Sequence, residues 1–70
     1  MSIRLEHERK KLNLSQSRLA AATGTMHPSS ISVLEQGWRK PGEQQRASIE
    51  RAMLEKGWNG EGDLFEVIDG

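Results

Sequence analysis

Residues that end or restart helices punctuate this chain at short intervals: Asn13, Gly24, Pro28, Gly37, Pro41-Gly42 and Gly57. Asparagine and glycine accept the left-handed conformation that closes a helix. Proline suits a first helical position, where its missing amide hydrogen would be unpaired anyway. Most of the segments between these points are shorter than the ~12–15 residues an isolated helix needs to persist in water. They must therefore fold by burying a shared apolar face, which points to a small all-α domain of about four helices.

Apolar spacing fills in the segments. Over Ile3–Leu12, the residues Leu5, Arg9 and Leu12 fall on one face, with Lys10 and Lys11 turned away. Ser15 reads as the N-cap of a second helix, since its hydroxyl can accept an amide hydrogen of the next turn. The run Gln16–Ala22 has high helix propensity, Leu19 and Ala22 face inward, and Thr23-Gly24 stops it. Thr25–His27 forms a turn. Pro28 then opens a third helix through Gln36, with Ile31 and Leu34 as its buried pair and Gly37 just past its end. Trp38–Gly42 is an exposed connection, and Glu43–Lys56 is the longest helix, placing Ile49, Ala52 and Met53 inward.

This gives a helical domain over residues 1–56 and a tail over 57–70. The tail carries four glycines and no helix signal. Its Leu64–Ile68 run could form one short strand. A lone strand would be disordered, lie as an extended arm or pair with a second copy. A chain of 70 residues hides only ~60% of its unfolded surface, so its stability is thin or partly borrowed from a partner.

Several chemistries are excluded. Without cysteine there is no disulfide framework and no thiolate. His7 and His27 lie far apart without convergent carboxylates, so neither a metal nor a cofactor is expected. No serine, histidine and acid fall in an order that a domain of this size could bury as a triad, and an enzyme is not expected. No signal peptide is recognisable, and no apolar run nears the ~20 residues that span a bilayer. The expectation is a cytoplasmic module.

The formal net charge of zero conceals a partition. Residues 1–46 carry eight basic side chains against four acidic ones, and residues 47–70 carry two against six. Local fields steer association more than totals do, so the first part suits a polyanion.

Two short helices joined by a tight turn, the second opening on small polar residues, form the pattern of a helix-turn-helix. In that unit one helix crosses the nucleic-acid backbone and the next lies in the major groove. The third helix here would present Ser29, Ser30, Ser32, Val33 and Gln36 outward. Hydroxyls can reach phosphates or base edges, and Val33 can meet a thymine methyl, but a serine-rich helix start also serves capping alone.

The run Leu14-Ser15-Gln16-Ser17-Arg18-Leu19-Ala20, followed by Ser30-Ile31-Ser32-Val33-Leu34-Glu35-Gln36-Gly37-Trp38-Arg39-Lys40-Pro41, resembles the lambdoid phage repressors and Cro proteins. This class is also called the xenobiotic-response-element-like regulators. The resemblance covers roughly residues 3–54 and implies a lambda-repressor-like fold. It implies base contacts by Ser29, Ser32 and Val33, and backbone contacts by Gln16, Ser30, Arg39 and Lys40, while His27, read by itself, caps the third helix or meets a backbone phosphate. It also suggests a buried ion pair between Arg9 and Glu35, which agrees with the place of Arg9 between Leu5 and Leu12. The function implied is a repressor that binds a two-fold site on double-stranded DNA as a homodimer. Trp58, Leu64, Phe65, Val67 and Ile68 would be available to join the copies.

Four differences from the family pattern stand out. The segment Thr25-Met26-His27-Pro28 makes the interval between Gly24 and Ile31 one residue longer than usual. Thr23 stands where an apolar residue is common, and Pro28 where a polar contact residue often lies. The glycine-rich tail replaces a fifth helix. A rival function on the same fold is an antitoxin, whose acidic tail would bind and mask a protein partner and fold only on doing so. Trp58 closes the core or a dimer contact. Trp38 is either a core lid or an interface anchor, and the sequence leaves both open.

Overall fold

A computed structural model describes residues 2–68. The first position of the expected domain 1–56 and the last two of the expected tail 57–70 lie outside them. The order is β1 (Ser2–Ile3), α1 (Arg4–Lys11), α2 (Gln16–Thr23), α3 (Pro28–Glu35), α4 (Glu43–Glu55) and β2 (Val67–Ile68). The fold is a small four-helix domain closed by a short C-terminal strand. Its core holds Leu5 of α1, Leu19 of α2, Ile31 of α3, and Ile49 and Met53 of α4, all at 0% exposure. On α2 it is Ala20 that is buried beside Leu19, while Ala22 is only partly covered.

Three helices end in one turn. After α1, Asn13 adopts φ 55°, its N–H donates to the Lys10 carbonyl and that of Leu14 to the Arg9 carbonyl. After α3, Gly37 has φ 78°, its N–H donates to Leu34 and that of Trp38 to Val33. After α4, Gly57 has φ 112°, its N–H donates to Leu54 and that of Trp58 to Met53. This is the Schellman arrangement, which satisfies the orphan carbonyls of a helix end and reverses the chain.

The tail corrects one expectation. Its strand has a partner inside the chain, because β2 pairs antiparallel with β1 in the register Ser2 to Ile68 and Ile3 to Val67. The strand spans Val67–Ile68 only, and Leu64 and Phe65 form a turn before it. Leu64 is 0% exposed and Trp58 only 7%. Both fill the core of their own chain, so neither side chain is free to join two copies. The tail also caps α1, whose N-cap residue Ile3 makes no side-chain hydrogen bond. The Leu64 carbonyl accepts the Leu5 N–H at 2.7 Å, and the Glu66 carbonyl accepts the Arg4 N–H at 2.9 Å. These are first-turn amides that a helix leaves without partners of its own.

Two acids of this segment face cations of the helices. Glu66 lies 3.7 Å from Arg4, and Asp63 lies 3.6 Å from Arg46. The Arg46 guanidinium also stands 5.1 Å over the Phe65 ring.

Candidate nucleic-acid interface

The unit built by α2 and α3 begins at Ser15, whose Oγ accepts the Arg18 N–H at 3.0 Å as an N-cap should. Neither α2 nor α3 carries an acid in its first turn, so the positive end of each helix dipole is unopposed.

Thr23 explains how the lengthened turn is held. It is 2% exposed, and its hydroxyl donates to the Ala20 carbonyl at 2.6 Å. The same oxygen accepts from the amides of Met26 at 3.2 Å and Thr25 at 3.4 Å. An extra turn residue adds an amide that needs an acceptor, and an apolar side chain at this position would supply none. The threonine and the longer turn therefore go together. Pro28 occupies the first position of α3, and the His27 carbonyl accepts from Ser30 and Ile31. The His27 side chain makes no cap bond and is exposed.

On α3 the positions 29, 32, 33 and 36 follow the three-and-four spacing of a single helical face. Ser29 and Gln36 are exposed, while Ser30, Ser32 and Val33 are half-buried. The opposite face buries Ile31 and Leu34. Ser29, Ser30 and Val33 line a shallow cleft together with Leu34, Arg39 and Gln45, which places the loop after α3 beside this outward face.

A buried ion pair locks the far end of the unit. Arg9 Nε lies 2.7 Å from Glu35 Oε2 and Arg9 Nη2 lies 3.0 Å from Oε1, a two-pronged contact with both residues buried. Arg9 Nη1 also donates to the Leu14 carbonyl at 2.8 Å, and Gln16 Nε2 donates to Glu35 Oε1 at 2.9 Å. The pair thus ties α1 to the end of α3 and fixes the side chain at the start of α2. Sequence reasoning missed the bond from Gln16 to Glu35, because it joins residues 19 apart and has no periodic signature.

The electrostatics favour an anion. Between Leu12 and Gly42 the one acid is Glu35, buried and paired, so every exposed charge there is positive: Arg18, Arg39 and Lys40. Among the described residues no group of three or more histidine or acidic side chains could hold a metal ion. No helix among them is long and apolar enough to cross a membrane.

The helix-turn-helix family model matches residues 5–53, from Leu5 of α1 to Met53 of α4. The chain belongs to the helix-turn-helix family. Domains of this family are non-catalytic modules that bind DNA, with α3 here as the second helix of the unit. The match ends before the tail, so the clasp of β1 and β2 lies outside the helix-turn-helix core. Neither the curated proteins nor the solved structures compared with the chain gave a match.

Proposed function

We propose that this helix-turn-helix domain is a sequence-specific regulator of transcription, a repressor of the kind the lambdoid phages use, acting in the cytoplasm on double-stranded DNA. The observation that carries the reading is the outward face of α3, with Ser29, Ser32 and Val33 in line and Arg18, Arg39 and Lys40 as the exposed charges between Leu12 and Gly42. In the major groove these three side chains would meet base edges, serine by hydrogen bonds and valine by contact with a thymine methyl. Gln16, His27, Ser30, Arg39 and Lys40 would hold the phosphates on either side and set the register. The second amide hydrogen of Gln16 remains to donate to a phosphate while Glu35 fixes the first.

A single module of this size buries only ~600–1,000 Å² of protein surface on DNA, which limits what it can read alone. Two copies on a two-fold site double the contact, with recognition helices ~34–36 Å apart. Val67 and Ile68 are the tail residues that keep exposed apolar surface for joining the copies, with Phe65 packed beside them beneath Arg46 and Trp58 and Leu64 supporting them from the core. An occupied operator would then exclude polymerase. The antitoxin reading is weakened, because Asp63 and Glu66 of the tail stand beside Arg46 and Arg4 of the same chain.

Selection from a randomised duplex pool at two salt concentrations, with the bound sites sequenced, tests the proposal. Recovery of a two-fold motif with salt-sensitive affinity is the expected result. Weak binding without selection would contradict it.

A further inference from the structure

The Schellman turns after α1, α3 and α4 place an apolar residue just beyond each helix, and one of the three does not enter the core. Leu14 and Trp58 are both buried at 7% exposure. Trp38, after α3, stands 78% exposed, the most exposed large apolar side chain among the described residues. Its turn is intact, with the Trp38 N–H donating to the Val33 carbonyl at 3.4 Å, so a failed helix end is not the cause. The face on which the turn lies is what differs. The residues that accept the matching bond in α1 and α4, Arg9 and Met53, are buried, whereas Val33 lies on the outward face of α3. The backbone of Trp38 is therefore anchored to that outward face.

Its neighbours indicate the kind of partner. Arg39 and Lys40 follow directly and are exposed, and Arg39 shares a cleft with Ser29, Ser30 and Val33. From behind, the loop borders an apolar crevice formed with Ile3, Phe65 and Val67. An isologous contact between two copies centred on Trp38 would set these two adjacent cations against their own counterparts. A polyanion answers all three side chains at once. Its phosphates suit Arg39 and Lys40, its sugar offers an apolar face to the indole, and its oxygens accept the indole N–H.

We infer that Trp38 is a DNA-contacting side chain, laying its indole on the sugar–phosphate backbone that borders the bases facing α3. This rests on the DNA-binding function proposed above and adds to it a contact that carries no charge.

The chain's two tryptophans make the test direct. Trp58→Phe removes a buried indole whose N–H meets no acceptor among the described residues, leaving Trp38 as the sole emitter. Titrating this variant with a duplex recovered by selection should shift Trp38 emission and shield it from acrylamide. The wild-type chain gives the same reading, because Trp58 is shielded from the start. Trp38→Ala should bind that duplex about ten-fold more weakly at fixed salt, while Trp38→Phe keeps most of the affinity. The salt slope should be unchanged in both, since no charge is lost. Wild-type binding with Trp38→Ala equally tight overturns this inference and leaves the function standing. So does a wild-type dimer, seen by sedimentation without DNA, that Trp38→Ala breaks. Failure of the wild-type chain to bind any duplex overturns both.

Discussion

Arg9 of α1 and Glu35 at the end of α3 meet through two parallel hydrogen bonds, at 2.7 Å and 3.0 Å, with Glu35 1% exposed and Arg9 8%. Their 26-residue separation makes the pair a clasp across the helix-turn-helix unit. A buried charge stripped of its partner is expensive. Arg9→Ala or Glu35→Ala should each lower unfolding stability by about 3–5 kcal/mol, read from urea denaturation midpoints. Replacing both by Met and Leu should recover much of that stability, because a well-packed apolar pair often substitutes for a buried ion pair. The double variant should nevertheless bind DNA less well, since Gln16 loses its hydrogen-bond partner.

Thr23→Val keeps the volume and removes the hydroxyl that serves Ala20, Thr25 and Met26. A loss of about 1–3 kcal/mol is expected, the cost of backbone groups left unsatisfied in a part-buried turn. Thermal unfolding measures it. A variant that also deletes one residue from 25–27 should regain part of the loss, because the amide needing the hydroxyl is gone.

The tail makes a prediction that separates a clasp from an appendage. Leu64→Ala should destabilise the domain by about 2–5 kcal/mol, as a fully buried leucine does. Truncation after Glu61 should cost more, since it also removes the carbonyls that cap α1. Both are measured by denaturant titration. A tail that folded only on a protein partner would leave the stability of the isolated chain unchanged in both.

Charge and sequence reading should separate experimentally. Arg39→Ala and Lys40→Ala should each reduce the salt slope of duplex binding by about one, with affinity falling alike on all sequences. Ser32→Ala and Val33→Ala should keep the slope and relax discrimination among bases by about 1–3 kcal/mol at the positions they face. Anisotropy titrations on a selected duplex and its point variants measure both quantities.

The four helices are legible in the sequence because local signals agree. Ser15 caps where a cap is needed, Gly37 and Gly57 close helices where glycine is favoured, and Leu5 with Arg9, Ile31 with Leu34, and Ile49 with Ala52 and Met53 keep helical spacing. The strand pair is not legible. Ser2–Ile3 is two residues long, and its partner lies at the other end of the chain, so no local pattern marks it. For the same reason Leu64 and Phe65 read as free apolar surface, whereas Leu64 fills the core and Phe65 packs beneath Arg46. Exposure of Trp38 was equally hidden, because the same turn chemistry buries Trp58. Only the face on which each turn falls distinguishes them.

The central claim is that DNA meets the chain through α3 and its flanks. Mapping backbone amide shifts of the labelled protein, with and without a duplex recovered by selection, tests it most directly. The account predicts the largest changes at Gln16 and Ser17, along Ser29–Val33, and through Trp38–Lys40, with little change along Glu50–Glu55. Changes confined to α1, α4 or the tail, or none at all, would contradict it.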